Sequence, residues 1–435
     1  MPQVLIHTLG CKLNSLESES YAEAFANETR PIIIVNTCTV TSKADQKARR
    51  VIRKALRDNP DAIVIVTGCY AELEGEEIKL IASRGGAEED EGAEGRLLVL
   101  KREEVLNFAA NFPLPTPHSL LPNNPFQFNP KKFSSHTRSF LKIQDGCDNK
   151  CTYCRIRLAR GPSVSLPAEE VLERLKILET NYAETVLTGV NLSQYNSASL
   201  RLCAMLNSLI SNTEKIAIRL SSLDPLIINK EFAEVIANNR IRPHFHLSIQ
   251  SCSETVLKRM GRSYNAQTIE NAVSLLRGVK DDPFIACDII TGFPGETEAE
   301  FNKTYELCKK LQFAWIHVFP YSKRPGTPAF EFTDSVQESE VTRRVQLLTE
   351  LAWQGRREYV KRWIGREVEV LLESQKEKKA GTTGFCRGVS ENYLKVLVSC
   401  KGEVPPPGTV LRCRLIEQAD SNAKDYDAEG ETLSA

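Results

Sequence analysis

Three cysteines stand close together in the run Asp145-Gly-Cys-Asp-Asn-Lys-Cys-Thr-Tyr-Cys-Arg155, with the spacing C-x3-C-x2-C. Cys147, Cys151 and Cys154 can bind three corners of an iron–sulfur cluster, which leaves the fourth iron without a protein ligand. An iron with an open position can bind and reduce a small molecule, so the spacing predicts chemistry rather than simple electron storage. Structural zinc is the alternative. It needs four ligands, and the fourth would have to come from a distant part of the chain.

A second set of three cysteines is spread along the first seventy residues. Cys11, Cys38 and Cys69 each follow a short apolar run typical of a β-strand, and the segments between these runs have a helical pattern. The alternation predicts a parallel sheet in a doubly wound α/β domain. Because the carboxyl ends of parallel strands share one edge, the topology brings the three thiols together. We therefore predict a second three-cysteine cluster, with three buried apolar thiols as the alternative.

A longer alternation of strands and helices begins near residue 137. Its six βα units predict a partial (βα)6 barrel with the active site at the carboxyl ends of the strands, and the C-x3-C-x2-C run follows the first of these strands. Short alternating strands after residue 364 predict a small all-β domain. The predicted organisation is an α/β domain (1–111), a Pro-, Asn- and Ser-rich linker (112–136), the barrel (137–335), a connecting helix (336–363), the β-domain (364–418) and a disordered tail (419–435).

Composition and charge are those of a globular protein, and we expect it to be cytoplasmic. No apolar run reaches 18 residues and the N-terminus lacks a signal-peptide pattern, so no membrane association is expected. The 13 cysteines are then expected to be ligands or core residues rather than disulfides. Formal net charge is zero, so nucleic-acid binding would need local patches. The helical segment Lys43–Arg57 carries seven basic residues against one Asp and could hold phosphates or be a solvated face.

Further residues near the ends of the predicted barrel strands are suited to holding a ligand. Glycines let the backbone approach a ligand closely, amides can bond an amino acid group, and arginine pairs well with a carboxylate. The predicted cofactor contacts are Gly189, Asn191, Gln250, Arg262, Asp288 and Gly292. Ordinary strand-end turns and an exposed arginine are the alternatives. No side chain is singled out as catalytic.

Taken together, these motifs resemble those of the radical S-adenosylmethionine methylthiotransferases, up to about residue 418. Besides C-x3-C-x2-C, the matching segments are Thr8-Leu-Gly-Cys-Lys-Leu-Asn14, Asn36-Thr-Cys-Thr-Val40, Thr67-Gly-Cys69, Ala159-Arg-Gly161, Leu187-Thr-Gly-Val-Asn191, Leu247-Ser-Ile-Gln-Ser251, Asp288–Glu296 and Phe319-Pro-Tyr-Ser-Lys-Arg-Pro-Gly-Thr327. The first and last of these look most like the branch acting on N6-threonylcarbamoyladenosine beside the tRNA anticodon. The small β-domain resembles that family's RNA-binding TRAM domain.

The resemblance implies two 4Fe–4S clusters, S-adenosylmethionine, a tRNA anticodon stem-loop as substrate and an electron donor such as flavodoxin or ferredoxin. The cluster on Cys147, Cys151 and Cys154 would cleave S-adenosylmethionine to a 5′-deoxyadenosyl radical that activates adenine C2–H. The cluster on Cys11, Cys38 and Cys69 would supply sulfur, and a second S-adenosylmethionine the methyl group. The alternatives are methylthiolation of isopentenyladenosine in tRNA or of a ribosomal-protein aspartate, and, more remotely, a non-catalytic metal-dependent RNA-binding module.

Four positions depart from the pattern of the family. Arg155 and Arg157 stand where bacterial relatives usually carry apolar residues and a proline. Cys252 stands where glycine is expected, and Asp224 where glutamate is expected. None of these changes removes a predicted cluster ligand, so they bear on the identity of the substrate more than on the type of reaction.

Overall fold

The computed structural model describes residues 4–83, 93–110, 124–134, 136–376, 384–400, 404–419 and 425–433. They form a parallel-sheet domain, a partial barrel and a small closed β-barrel in chain order. This α/β architecture with a small C-terminal β-domain confirms the predicted fold class. None of the helices in the described ranges combines the length and apolarity that crossing a bilayer requires.

The N-terminal domain is a parallel sheet with strands in the order β1-β2-β3-β4. Its elements are β1 (Val4–Thr8), α1 (Lys12–Ala24), β2 (Ile32–Thr37), α2 (Ser42–Asp58), β3 (Ile63–Gly68), α3 (Cys69–Ser83), α4 (Ala93–Arg96), β4 (Leu97–Val99) and α5 (Arg102–Ala110). Every residue of β2 is buried, because α1 and α5 pack on one face of the sheet and α2 and α3 on the other. Helices on both faces explain the continuous apolar runs of these strands.

The central domain is an open barrel of parallel strands. Its elements are β5 (Ser139–Lys142), β6 (Gln144–Asp145), α6 (Ile156–Arg160), β7 (Val164–Ser165), α7 (Ala168–Glu179), β8 (Glu184–Thr188), β9 (Asn196–Ser197), β10 (Leu200–Arg201), α8 (Leu202–Asn212), β11 (Ala217–Leu220), α9 (Lys230–Ile236), β12 (His244–Gln250), α10 (Glu254–Arg259), α11 (Ala266–Val279), β13 (Phe284–Thr291), α12 (Glu298–Leu311) and β14 (Trp315–Pro320). One sheet is β5-β8-β11 and the other β12-β13-β14. Parallel bridges at Ile218–Ile241 and Leu223–Leu247 join them.

The C-terminal part is a long helix followed by a closed barrel with strands in the order β15-β16-β17-β19-β18. Its elements are α13 (Glu338–Trp363), β15 (Glu367–Lys376), β16 (Gly384–Ser390), β17 (Lys395–Cys400), β18 (Val410–Gln418) and β19 (Ala428–Thr432). The prediction of a disordered tail over 419–435 is wrong for its described part. Strand β19 pairs in parallel with β17 and antiparallel with β18, and thereby closes the barrel.

The segment predicted as a linker also differs from expectation where it is described. Residues 111–123 and 135 lie outside the described ranges, but 124–134 pack against the core. Phe126, Phe128 and Phe133 are buried in the apolar cluster shared by the N-terminal domain and the barrel. The ring of Phe128 meets that of Tyr21 edge to face at 5.8 Å between centroids. This stretch is therefore part of the packed interface rather than an extended tether.

Candidate functional site: two cysteine triads and two cavities

The C-x3-C-x2-C loop leaves the first barrel strands at a position where any side chain would clash with the neighbouring backbone. Gly146 has φ of +68°, and a Cβ there would lie 1.9 Å from the carbonyl oxygen of Pro162. The loop is tied to its surroundings by main-chain bonds from Cys147 N to Gly161 O (3.1 Å) and from Thr152 N to Met260 O (3.0 Å). The three thiols are therefore presented at the carboxyl edge of the barrel by a fixed backbone.

A cavity of about 400 Å³ lies over this loop and contains all three thiols in its wall. Asn191, Gln250, Arg262 and Asp288, four of the predicted cofactor contacts, also line it. Gln250 has φ of +68°, a left-handed conformation that side chains rarely adopt, and such strain is concentrated at functional sites. The structure thus brings these four side chains together with the triad.

Arg262 is one of two arginines in the wall of this cavity, and the other, Arg155, pairs with Glu74. Arg262 Nη2 donates to Asp224 Oδ2 at 2.8 Å and to Ser248 O at 3.1 Å, and its Nη1 lies 3.4 Å from Cys151 Sγ. Asp224, where the family pattern led us to expect glutamate, thus fixes the guanidinium. One face of Arg262 remains directed at the thiol loop, where a ligand carboxylate could bind.

The remaining two predicted contacts lie elsewhere. Gly189 lines a second, larger cavity. A Cβ at this position would lie 2.8 Å from Gln144 Oε1. The same oxygen accepts a hydrogen bond from Asn191 N at 2.8 Å. Gly292 is outside the lining of both cavities. A Cβ on it would meet Val341 of α13 at 2.6 Å, so this glycine allows the helix to pack closely, and its contact with a cofactor stays a prediction.

The second triad sits at the carboxyl ends of β1, β2 and β3, as the topology predicts. Cys11 is the N-cap of α1, Cys38 follows β2 and Cys69 begins α3. A Cβ on Gly10 would lie 2.7 Å from Cys38 Cβ, which measures how closely the first two strand ends approach. Burial raises the pKa of Cys38 to about 12, so a metal would have to displace its proton.

A buried charge network lies behind this triad, and sequence inspection did not reveal it. Arg160 donates from Nε to Cys69 Sγ at 3.2 Å and from Nη1 to Glu17 Oε1 at 3.0 Å and Asp145 Oδ2 at 3.2 Å. Burial alone would raise the pKa of Asp145, but the ammonium of Lys142 and the guanidinium of Arg160 outweigh it and lower that pKa. The network connects residues of both triad loops. Its only sequence signal was the Ala-Arg-Gly segment.

A larger cavity of about 700 Å³ adjoins the first and runs between the barrel, α13 and the C-terminal β-domain. Its wall includes Cys11 and Lys12 of the N-terminal domain, His246 and His317 of the barrel, and Lys395 of the β-domain. His246 Nδ1 forms a hydrogen bond with Ser222 Oγ at 2.7 Å, and its Nε2 lies 3.1 Å from Asp288 Oδ1. Cys11 lines both cavities, so this member of the second triad lies at the boundary between them.

The thiols have the chemistry that an iron–sulfur cluster needs. All six are free, and Cys11 of the second triad lines the smaller cavity together with Cys147, Cys151 and Cys154. The Arg160 donor to Cys69 and the Arg262 donor near Cys151 are of the kind that stabilises thiolate sulfur. Within the described ranges, no three His, Cys, Asp or Glu side chains are grouped as ligands of a single ion.

The fold and the thiol loop define a radical S-adenosylmethionine enzyme. The family model described as Radical SAM superfamily matches residues 141–308, which span the barrel from β5 to α12. A second model, described as an uncharacterized protein family, UPF0004, matches residues 3–84, which carry Cys11, Cys38 and Cys69. S-adenosylmethionine and a 4Fe–4S cluster are the cofactors of this class of enzyme.

Relatives of established name resemble the chain over most of its length. It is 40% identical to the threonylcarbamoyladenosine tRNA methylthiotransferase of Treponema pallidum, over 95% of this chain and 98% of the relative. It is 34% identical to the Bacillus subtilis protein of the same name, over 96% and 94%. A Ruegeria pomeroyi tRNA-2-methylthio-N(6)-dimethylallyladenosine synthase is 31% identical over 95% and 96%. The chain belongs to the radical S-adenosylmethionine methylthiotransferase family, which confirms the resemblance.

Proposed function

We propose that the protein inserts a methylthio group at C2 of N6-threonylcarbamoyladenosine next to the anticodon of tRNA. The observation that carries the proposal is the position of Cys11 in the wall of both cavities. A purine in the larger cavity would then have one neighbour that supplies sulfur and another that activates its C2–H. The relatives with the higher identity, 40% and 34%, carry the threonylcarbamoyladenosine name, against 31% for the dimethylallyladenosine synthase.

In this proposal, each cysteine triad holds one 4Fe–4S cluster. Cys147, Cys151 and Cys154 hold the cluster that binds S-adenosylmethionine, and Cys11, Cys38 and Cys69 hold the auxiliary cluster. When bound, the two clusters supply an electron for reductive cleavage and a site for sulfur transfer, respectively. Arg262, fixed by Asp224, is positioned to bind the S-adenosylmethionine carboxylate, and Asn191 and Gln250 to orient its polar groups. Reduction requires an external donor, such as flavodoxin or ferredoxin.

The tRNA partner is supported by surfaces on two domains. Helix α2 follows Cys38 and exposes six basic side chains, which could contact the phosphate backbone. The β-domain contributes Tyr393, Lys395 and Tyr426 to the larger cavity. A base in an anticodon loop is already single-stranded, so it can enter such a cavity with little loss of stacking.

The test begins with iron content after anaerobic reconstitution. We expect about eight irons per chain in the wild type, and about four when either triad is replaced by alanine. Loss of the 147/151/154 triad should abolish formation of 5′-deoxyadenosine, whereas loss of the 11/38/69 triad should spare it. Cys203→Ala, which removes a buried thiol of α8 outside both triads, is the matched control.

Mass spectrometry of tRNA then tests the substrate. tRNA carrying N6-threonylcarbamoyladenosine should gain a methylthio group with the wild type and with Cys203→Ala, and with neither triad variant. Four or fewer irons in the wild type, unchanged by the triad substitutions, would refute the mechanism. Modification of dimethylallyladenosine tRNA alone would refute the assigned substrate.

A further inference from the structure

One of the cations that line the larger cavity is half-buried and has no partner among the described residues. The Lys12 side chain lines this cavity, yet no hydrogen bond or ion pair to its ammonium exists among the described residues. Two charged groups, Arg219 and Arg138, repel it, and the weaker interactions with Glu184 and Cys11 attract it. An ammonium removed from bulk water without a counter-ion is unfavourable, so this end of the cavity favours an anion.

The other cations of the cavity differ from Lys12. Arg160 is bonded to Glu17 and Asp145. Arg356 forms a bidentate ion pair with Asp427, from Nε to Oδ1 at 2.8 Å and from Nη2 to Oδ2 at 2.5 Å. Lys395 is exposed and stands on the β-domain side. Within the described structure, the cavity therefore offers one enclosed, unpaired positive charge, and it comes from the residue that directly follows Cys11.

The proposed substrate carries a matching negative charge. A threonylcarbamoyl group on N6 ends in the free carboxylate of threonine, whereas a dimethylallyl group has no charge. C2 and C6 of adenine flank N1 on the same ring. A purine with C2 facing Cys11 therefore has its N6 substituent on the neighbouring edge of the ring, in the same cavity that Lys12 lines. Aromatic side chains for the purine lie in the same cavity, at Phe284, Trp315 and Tyr393.

We propose that Lys12 binds the carboxylate of the threonylcarbamoyl group and thereby selects this nucleoside over uncharged N6-substituted adenosines. The inference rests on the proposed function and specifies its substrate recognition. Lys12 acts as a specificity-determining residue through a charge-assisted hydrogen bond. The ester carbonyl can still accept a hydrogen bond, but only the acid adds the negative charge that makes the bond an ion pair.

The experiment compares three synthetic anticodon stem-loops that differ at one nucleoside: N6-threonylcarbamoyladenosine, its methyl ester, and unmodified adenosine. Binding to the anaerobically reconstituted protein is measured by fluorescence anisotropy for the wild type and Lys12→Gln. Lys303→Gln, an exposed lysine of α12 outside the cavity, is the matched control, and Lys395→Gln tests the other lysine of the cavity. Iron content establishes that each variant keeps its clusters.

We expect the wild type and Lys303→Gln to bind the acid at least about tenfold more tightly than the ester, the effect of losing one hydrogen bond to a charged group. Lys12→Gln should bind acid and ester equally, with its affinity for the unmodified stem-loop unchanged. The inference is overturned if Lys12→Gln retains the preference for the acid, if it loses affinity for all three probes alike, or if Lys395→Gln abolishes the preference instead.

Activity separates this inference from the function on which it rests. A wild type that methylthiolates the threonylcarbamoyl stem-loop but binds acid and ester equally refutes the role of Lys12 alone. A wild type that modifies none of the probes and prefers none refutes the proposed function as well.

Discussion

Replacement of Glu184 by glutamine tests how the barrel is held to the C-terminal β-domain. The Glu184 carboxylate is 2% exposed and accepts from Arg219 Nε at 2.7 Å, from Arg219 Nη2 at 3.1 Å and from Arg242 Nε at 3.0 Å. Removing one partner of a buried ion pair costs about 3–5 kcal/mol, because the remaining charge stays buried and unpaired. Glu184→Gln leaves Arg219 buried without a carboxylate, whereas Arg242 keeps its pair with Glu369, so we expect a loss within that range.

The loss of stability in Glu184→Gln should extend to the β-domain. Arg242 Nη1 also binds Glu369 Oε2 of β15 at 2.8 Å, and Arg219 Nη2 donates to Ser390 O of β16 at 3.3 Å. All three tryptophans, Trp315, Trp353 and Trp363, lie on β14 or α13, beside this junction. Urea unfolding of the cluster-free protein, followed by tryptophan fluorescence, therefore reports on the affected region.

The dependence on pH has a definite sign. Burial alone would raise the pKa of Glu184, but Arg219 and Arg242 outweigh burial and lower it below that of an ordinary glutamate. The stabilisation is therefore fully present above about pH 4.3, the pKa of glutamate in an unfolded chain, and is lost as the pH falls through the folded pKa. Glu184→Gln should lack this contribution to acid sensitivity.

A matched control is Glu170→Gln, which removes the carboxylate of a partly exposed pair with Arg174 one helical turn away. Its expected cost is about 0.3–0.5 kcal/mol. Equal unfolding free energies for the two variants at pH 7 would refute the reasoning, and so would an acid dependence of Glu184→Gln identical to that of the wild type.

Two further predictions concern the loops that carry the triads. Arg324→Gln breaks buried hydrogen bonds from the guanidinium to Asp45 (2.6 Å) and Thr39 (2.7 Å). Amide hydrogen exchange over residues 38–45 should therefore accelerate, while exchange in the β-domain is unchanged. Equal exchange over residues 38–45 in the variant and the wild type would contradict this. Gly146→Ala places a Cβ 1.9 Å from Pro162 O, so the loop that carries the first triad must shift. The iron content should therefore fall from about eight to about four per chain. Full iron content would show that the loop tolerates a side chain.

The sequence was most informative where local pattern and topology act together. Cys11, Cys38 and Cys69 could be assigned to one edge because each follows an apolar strand, and parallel strands end on the same side. The C-x3-C-x2-C spacing needed no tertiary information at all. Four of the six predicted cofactor contacts line the thiol cavity: Gln250 ends β12, Asn191 follows β8, Asp288 lies within β13 and Arg262 follows α10.

The missed features depend on contacts between distant parts of the chain. Strand β19 has Ala428 and Gly430 as inward residues, so it lacks the large apolar side chains that mark a strand, and it is specified by its neighbours β17 and β18. The Arg160–Glu17 pair joins residues 143 positions apart, which no local pattern indicates. By contrast, the alternating Phe126 and Phe128 did signal burial, but the surrounding prolines favoured a linker.

Closure of the small barrel by β19 also affects what happens to incompletely synthesised chains. A chain that stops before residue 425 leaves β17 and β18 with unpaired backbone edges, which promote aggregation. The same chain lacks Tyr426 and Asp427, so one wall of the larger cavity is missing and Arg356 loses its carboxylate partner. Both triads would still be present in such a fragment, but the cavity beside them would be incomplete. Completion of the chain is thus coupled to completion of the cavity.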